Sequence, residues 1–291
     1  MLKFVIPKGS LEEQTLLLLK DAGLPVRRAG DREYSATIDD PRIDQVAIMR
    51  PQEIGKYVEE GIFDLGITGL DWIEETGSRV EQVADLPYAK TGSGTGLRIV
   101  LAVHGESGVE RPEGLRPGTK VATEYPNLAR RYFERKGIDA KVVLSAGATE
   151  AKVPNIVDAV VEITETGSTL RAHGLRIIDE VMQTTTKLIA NRDSYAHAGK
   201  RKLIEELKTL MLAAFEARSK VLLKLNVGEG EKGAVLEILP ALRSPTVSPL
   251  ADGGYAVETV VDKSAVPGLI PRLKERGATG ILEIPLGKVV P

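Results

Sequence analysis

Apolar residues in this chain come in short runs cut by glycine and proline, with helical spacing between them. Residues 2–6 form a β-rich run that stops at Pro7-Lys8-Gly9. Ser10 opens a predicted helix, with Ser10 and Glu13 at capping-box spacing. Leu11, Leu16, Leu17, Leu18 and Leu19 give it a broad apolar face, and Gly23 ends it. A helix over 52–60 stops at Gly61, and a buried strand over 63–69 runs into a turn. Residues 98–103, 120–123, 141–144 and 156–163 read as further strands. A helix capped by Asn127 follows the second of these and buries Leu128, Tyr132 and Phe133. Strands alternating with helices predict an α/β fold with mostly parallel sheets.

The last 70 or so residues change character. They read as strand 221–227, helix 232–242, strands 246–249 and 255–261 around Asp252-Gly253-Gly254, helix 265–276 and strand 280–285. The order β-α-β-β-α-β is the ferredoxin-like pattern. A helix over 200–220 joins it to the rest. There is no low-complexity segment and no repeat at a solenoid period.

The 291 residues suffice for two domains or three small ones. A hydrophobic share of 42% with 27% charged residues is that of a globular protein and excludes collagen-like and disordered classes. With 39 basic and 41 acidic side chains, the chain lacks the basic excess of a general nucleic-acid binder. The absence of cysteine excludes disulfides, iron–sulfur clusters, cysteine-ligated zinc and a thiol nucleophile. No apolar run reaches the roughly 18 residues of a membrane span, and the N-terminal segment does not read as a signal peptide. The expected location is cytoplasmic.

The stretch 158–170 holds the most chemical information. An apolar strand carries Asp158 and Glu162, then Thr164-Glu165-Thr166-Gly167-Ser168-Thr169-Leu170 turns into a helix. Backbone N–H groups and hydroxyls in such a turn can surround a phosphate, glycine lets the chain approach a ligand, and a carboxylate at the strand end can hold a ribose diol. Taken alone, the stretch is equally a small-residue turn with no ligand. Glu150 is a further acid upstream. Lys8 before a helix start can face polyphosphate, although in isolation a surface lysine is the simpler reading; Arg50 and the turn from Gly66 to Asp71 share that ambiguity. Tyr125 lies at a strand end, where open α/β sheets bind ligands, yet alone it reads as a packing residue. His104, His173 and His197 show no metal-ligand or triad spacing, and the single Trp72 reads as structural.

Together these motifs resemble the ATP phosphoribosyltransferase family in its long form. The resemblance rests on Leu2 to Gly9, Asp64 to Gly69, Ala122 to Leu128, Glu162 to Leu170 and Ser244 to Asp252, five blocks in order over nearly the whole chain. Ser10 stands where many relatives have arginine, Glu162 where others often have aspartate, Asn155 where glycine is common and Asn226 where some have aspartate. The glycine-rich segment 90–96 departs from the family pattern.

The resemblance implies an α/β catalytic part with a two-lobed, periplasmic-binding-protein-like architecture and a C-terminal ferredoxin-like regulatory domain. Lobe I would comprise 1–92 and 186–212, lobe II 93–185 and the regulatory domain 213–291, with crossings near 90–95 and 183–188. The implied reaction is attack of adenine N1 of ATP on C1 of phosphoribosyl pyrophosphate (PRPP), the first step of histidine biosynthesis. Glu162, Asp158 and Lys8 would be catalytic. Glu150, Glu162, Thr164, Glu165, Thr166, Gly167, Ser168, Thr169 and Leu170 would bind PRPP. Lys8, Gly9, Arg50, Gly66, Thr68, Gly69, Asp71 and Tyr125 would bind ATP. Asn226, Leu242, Ser244 and Thr246 would hold histidine as feedback inhibitor. Mg²⁺ would ride on pyrophosphate oxygens, with no metal held by the protein alone. The expected assembly is a homo-oligomer, dimer or hexamer, with no separate regulatory subunit, nucleic acid or membrane partner. The alternatives are a phosphoribosyltransferase for another base, which usually shows two adjacent acids before its loop, and a non-catalytic protein, either a two-lobed solute binder or an amino-acid sensor using only the last domain.

Overall fold

The first apolar run becomes β1 (Leu2–Pro7), in which only Lys3 is exposed. A computed structural model describes residues 1–28, 30, 33–88, 97–240, 244–251 and 253–290. After β1 come α1 (Glu12–Asp21), β2 (Val26–Arg27), β3 (Ser35–Ile38), β4 (Ile43–Met49), α2 (Pro51–Glu59), β5 (Leu65–Gly69), α3 (Leu70–Thr76) and β6 (Glu81–Leu86). A second series holds β7 (Arg98–His104), β8 (Thr119–Thr123), α4 (Pro126–Lys136), β9 (Ala140–Leu144), β10 (Ala159–Thr164), α5 (Ser168–Ala172) and β11 (Leu175–Gln183). Then follow β12 (Thr186–Ala190), α6 (Arg192–Ala196) and α7 (Ala198–Arg218). The tail holds β13 (Lys220–Val227), α8 (Lys232–Ile238), β14 (Thr246–Pro249), β15 (Tyr255–Asp262), α9 (Val266–Glu275) and β16 (Thr279–Pro285).

The described chain divides into two compact units, Met1–Leu17 with Pro25–Lys208, and Leu18–Leu24 with Thr209–Pro291. The first contains two sheets. One has seven strands in the order β2-β3-β4-β1-β5-β12-β6, the other five in the order β11-β7-β10-β8-β9. The chain passes back between them after β11, at Thr184 and Thr185. The forward passage follows β6, and 89–96 lie outside the described residues, including the whole of the glycine-rich segment.

The sheets are mixed rather than mostly parallel. β1 runs parallel to β4 and β5, and β10 and β9 run parallel to β8. β12 joins β5 antiparallel, and β7 joins β10 antiparallel. A chain that leaves a sheet and later returns need not re-enter in the original direction, so local strand–helix alternation does not fix the orientation of those strands. The start of α1 also differs from its prediction. A short 3₁₀ turn precedes it, and the N–H of Gly9 donates to the Glu12 carboxylate at 3.1 Å, in place of a Ser10–Glu13 box.

Two features of the seven-stranded sheet fix its centre. Asp64 is buried and accepts hydrogen bonds from the Lys3 N–H at 2.8 Å, the Ser194 hydroxyl at 2.6 Å and Lys200 Nζ at 2.6 Å. It thereby ties β1 to α6 and α7. Gly66, in the middle of β5, supports the packing of α2 on the sheet. A Cβ there would lie 2.8 Å from Val58 Cγ2, 3.0 Å from Ile54 Cγ2 and 3.1 Å from Val5 Cγ1.

The second unit carries a four-stranded antiparallel sheet in the order β14-β15-β13-β16, which realises the β-α-β-β-α-β reading. Val235, Leu269 and Leu273 on α8 and α9 pack against Val221, Leu223, Leu225 and Val257 on one sheet face. Alternation along β13 turns Lys224 and Asn226 to the other face.

Because three stiff branched side chains surround Gly66, Gly66→Ala is expected to cost about 1–3 kcal/mol of stability by overpacking. Urea denaturation checks this; an unchanged midpoint and slope would show that the helix has room to move.

Candidate active site

The parallel strands deliver their carboxyl ends to one cavity of about 770 Å³. From the seven-stranded side come Lys8, Gly9 and Ser10 after β1, Arg50 after β4, and Gly69, Asp71 and Trp72 after β5. From the five-stranded side come Glu124 and Tyr125 after β8, and Glu162 to Thr166, Ser168, Thr169 and Leu170 at the end of β10 and the start of α5. Glu150 completes that wall, and Thr185 and Thr186 line the place where the chain passes between the sheets. Strand ends of this kind are where open α/β sheets bind ligands, and the volume suits small-molecule substrates.

Glu162 is half-buried near the end of β10 and accepts a hydrogen bond from the Thr149 hydroxyl. Burial, with the nearby negative charges of Glu124 and Glu150, raises its carboxyl from the usual 4.5 to about 7. Glu124 accepts the N–H of Gly147 at 2.9 Å, which fixes the loop that carries Thr149 and Glu150. Beyond Glu162, the Thr164 hydroxyl accepts the Gly167 N–H at 2.9 Å, and Thr166 donates to Ser168 Oγ at 3.0 Å. Arg171 braces the turn from below through the Thr166 carbonyl at 2.9 Å. A hydroxyl that accepts an N–H retains its own proton for a ligand oxygen.

Asp71 is buried and accepts from the Thr184 hydroxyl at 2.9 Å and from the hydroxyl of Tyr125. Burial pushes the Asp71 carboxyl up against the pull of those two bonds, and it pushes the Tyr125 phenol well above its ordinary value, with help from the Asp71 charge. The Trp72 and Tyr125 rings stack with centroids 4.6 Å apart. Lys8 Nζ sits 4.4 Å from the centre of the Tyr34 ring. Two buried polar atoms of lining residues, Gln52 Oε1 and Thr185 Oγ1, have no hydrogen-bond partner among the described residues.

Family models match most of the chain from residue 50 onward. One described as ATP phosphoribosyltransferase covers residues 50–212. The chain belongs to the ATP phosphoribosyltransferase family. A second model, described as HisG, C-terminal domain, covers residues 217–288. An ATP phosphoribosyltransferase of Koribacter versatilis (strain Ellin345) is 48% identical over 290 residues, 99% of each chain. One of Nitratidesulfovibrio vulgaris (strain DP4) is 50% identical over 291 residues, 99% of this chain and 98% of the relative. Among solved structures, the ATP phosphoribosyl transferase (HisG:HisZ) complex from Thermotoga maritima is similar with a TM-score of 0.60 at 30% identity, over 73% of this chain and 99% of that one.

Within this ATP phosphoribosyltransferase-family framework, most of the expected site residues meet in the cavity, and four do not line it. Asp158 is exposed, one residue before β10, where its carboxylate accepts the Lys120 N–H at 2.8 Å. Four residues at the strand rise place it about 13 Å from Glu162, at the wrong end of the strand. Gly66 is a packing residue under α2. Thr68 is fully buried and donates to the Pro51 carbonyl at 2.8 Å. Gly167 supplies the left-handed turn into α5 (φ +73°), and a Cβ there would lie 3.0 Å from Arg171 Nη1. Its contribution is the backbone shape of the loop.

Other lining residues escaped the sequence reading. Trp72, read as structural, is an aromatic wall of the cavity. Glu124 was legible only as a polar residue next to Tyr125. Gln52 and Thr185 had no local signal. In the second unit, Asn226 and Thr246 are exposed on the same sheet face, separated by β15, and Ser244 is exposed just before β14. Leu242 lies outside the described residues.

A carboxyl raised to about 7 destabilises the folded state as pH climbs from its unfolded value of 4.5, and the cost is complete above pH 7. Glu162→Gln cannot ionise, so it is expected to melt higher than the parent at pH 8, with the difference shrinking toward pH 4.5. Paired melting curves across that range check this; a pH-independent difference would contradict it.

Proposed function

We propose that this cavity performs the phosphoribosyl transfer as follows. The chain is an ATP phosphoribosyltransferase, a pentosyltransferase acting on ATP and PRPP in the first step of histidine biosynthesis. Glu162 holds the two ribose hydroxyls of PRPP, and the hydroxyls and amides from Thr164 to Thr169 hold its 5′-phosphate, with Glu150 and Glu165 at the rim. Tyr125 and Trp72 form the wall for the adenine base, with Asp71 and Gly69 beside it. Lys8, Gly9 and Arg50 face polyphosphate. The observation that carries this placement is a carboxylate and a hydroxyl-rich turn at one strand end, with an aromatic pair in the same cavity.

Adenine N1 carries a free lone pair, so no strong base is demanded. That lone pair forms the bond to C1, the C1–O bond breaks, and pyrophosphate leaves with its electrons. Positive charge builds on the sugar ring as the bond loosens, and the carboxylate near the diol lowers its energy. Alignment and electrostatics then supply the catalysis, which fits a cavity without a histidine or thiol nucleophile.

Among the described residues the lining holds five carboxyl groups, Asp71, Glu124, Glu150, Glu162 and Glu165, against two cations, Lys8 and Arg50. Two polyanionic substrates entering such a site need to bring positive charge with them. Oxygen donors suit Mg²⁺, yet among the described residues no cluster of three or more side chains could hold an ion. We place Mg²⁺ on pyrophosphate oxygens and water, with the lining carboxylates ordering that water.

We infer further that the two sheets of the first unit are the two substrate-binding lobes and that the C-terminal sheet, through Asn226, Ser244 and Thr246, takes histidine as inhibitor in a homo-oligomer without a separate regulatory subunit. Among the described residues no helix is long and apolar enough to cross a membrane, and we place the enzyme in the cytoplasm.

Turnover with ATP, PRPP and Mg²⁺, measured with and without histidine, tests the reading. Glu162→Ala is expected to lower kcat/KM about 10²-fold, as the loss of charged hydrogen bonds worth ~2–3 kcal/mol would. Near-parental turnover by the folded variant would remove Glu162 from this role.

A further inference from the structure

The start of α4 departs from the usual chemistry of a helix N-terminus. That position normally holds Ser, Thr, Asp or Asn, whose side chain accepts the free N–H groups of the first turn. Here it holds Tyr125, which makes no such bond, and Pro126 follows with no N–H at all. The sequence pointed to Asn127 as the cap, but Asn127 lies inside the first turn. The missing acceptor comes from α3, beyond β5 of the other sheet. One oxygen of the buried Glu75 carboxylate accepts the Asn127 N–H at 3.0 Å, and the other accepts the Leu128 N–H at 2.8 Å. The Asn127 side chain returns a bond to the Glu75 carbonyl at 3.1 Å. A negative charge at this end of a helix is electrostatically favoured.

The same short helix also holds the other side of Tyr125. Asp71 lies one turn before Glu75 on the same face of α3 and accepts the Tyr125 hydroxyl, while Trp72 stacks on its ring. Tyr125 is therefore held at its hydroxyl, on its ring face and through the turn that follows it. With the cap supplied from elsewhere, the capping position is free to carry an aromatic side chain.

We propose that Glu75 is a positioning residue for ATP: by capping α4 from the neighbouring helix, it fixes Tyr125 and Trp72 as the wall against which the nucleotide base binds. The proposal rests on the placement of ATP at that wall given above. Its consequence is selective. The loop from Thr164 to Thr169 is held by its own hydrogen bonds and by Arg171, so loss of the Glu75 cap loosens the base wall and leaves the PRPP side intact. Glutamine cannot replace Glu75, because its amide offers one acceptor and turns an N–H toward the second backbone N–H.

Trp72 is the only tryptophan in the chain, so its emission reports on the wall in the free protein. The test compares the parent with Glu75→Gln and Glu75→Asp, with Glu74→Gln on the exposed side of α3 as control, all checked for folding by circular dichroism. Glu75→Gln is expected to make Trp72 more accessible to acrylamide and to raise KM for ATP about tenfold, with KM for PRPP within twofold. Glu75→Asp, which keeps the charge within reach of one N–H, is expected to fall between, and Glu74→Gln to match the parent. Unchanged Trp72 quenching in Glu75→Gln, or equal rises in KM for both substrates, would overturn the proposal. Were the parent itself inactive with ATP and PRPP, the activity assignment would fail, while the Trp72 comparison would still decide whether Glu75 holds the wall.

Discussion

A carboxylate held half out of water at the end of β10 sets the terms for the rest of the cavity. Glu162 faces two other glutamates, and its charged form is costly until a partner arrives. A ribose diol offers that partner as two hydroxyl donors. In the proposed placement the same strand end carries the turn for the sugar's phosphate, so one strand would position both ends of the ribose. β10 is paired on both sides, to β7 and to β8, and a centrally paired strand gives this arrangement little freedom to drift.

The aromatic pair solves a different problem. A nucleobase presents flat apolar faces and a few polar edges, and in the proposed placement it meets the packed Trp72 and Tyr125 rings with the buried Asp71 carboxyl beside them. Asp71 touches Thr184, Tyr125 and the α3 backbone, so its cost of burial is offset by bonds that also orient the ring. The cavity as a whole carries more acid than base. In the proposed mechanism, substrate binding draws on the cations that accompany the polyphosphates, and the protein supplies orientation and field rather than a covalent intermediate.

The sequence made the C-terminal sheet legible almost strand by strand, because each of its elements is bounded by glycine, proline or charge and each is amphipathic in its own period. The end of β10 was legible for the same local reason, a strand followed by Thr-Gly-Ser. What depends on distant parts of the chain was not legible. The hairpin of β3 and β4, the returning strand β12 and the antiparallel strand β7 owe their places to pairing across the sheet, which spacing does not encode. Asp158 lies four residues from Glu162 in sequence but at the opposite end of the strand. Gly66 looked like a ligand-side glycine and is a packing glycine under α2. Glu75 caps a helix 52 residues further on, and no local motif announces a cap supplied from another element.

A structure of the enzyme crystallised with PRPP and Mg²⁺ addresses the central claim most directly. The account predicts the ribose hydroxyls on the Glu162 carboxylate, the 5′-phosphate against the hydroxyls of Thr166, Ser168 and Thr169, and the metal on pyrophosphate oxygens. Electron density for the sugar diphosphate at any other place, with the turn after β10 empty, would contradict it.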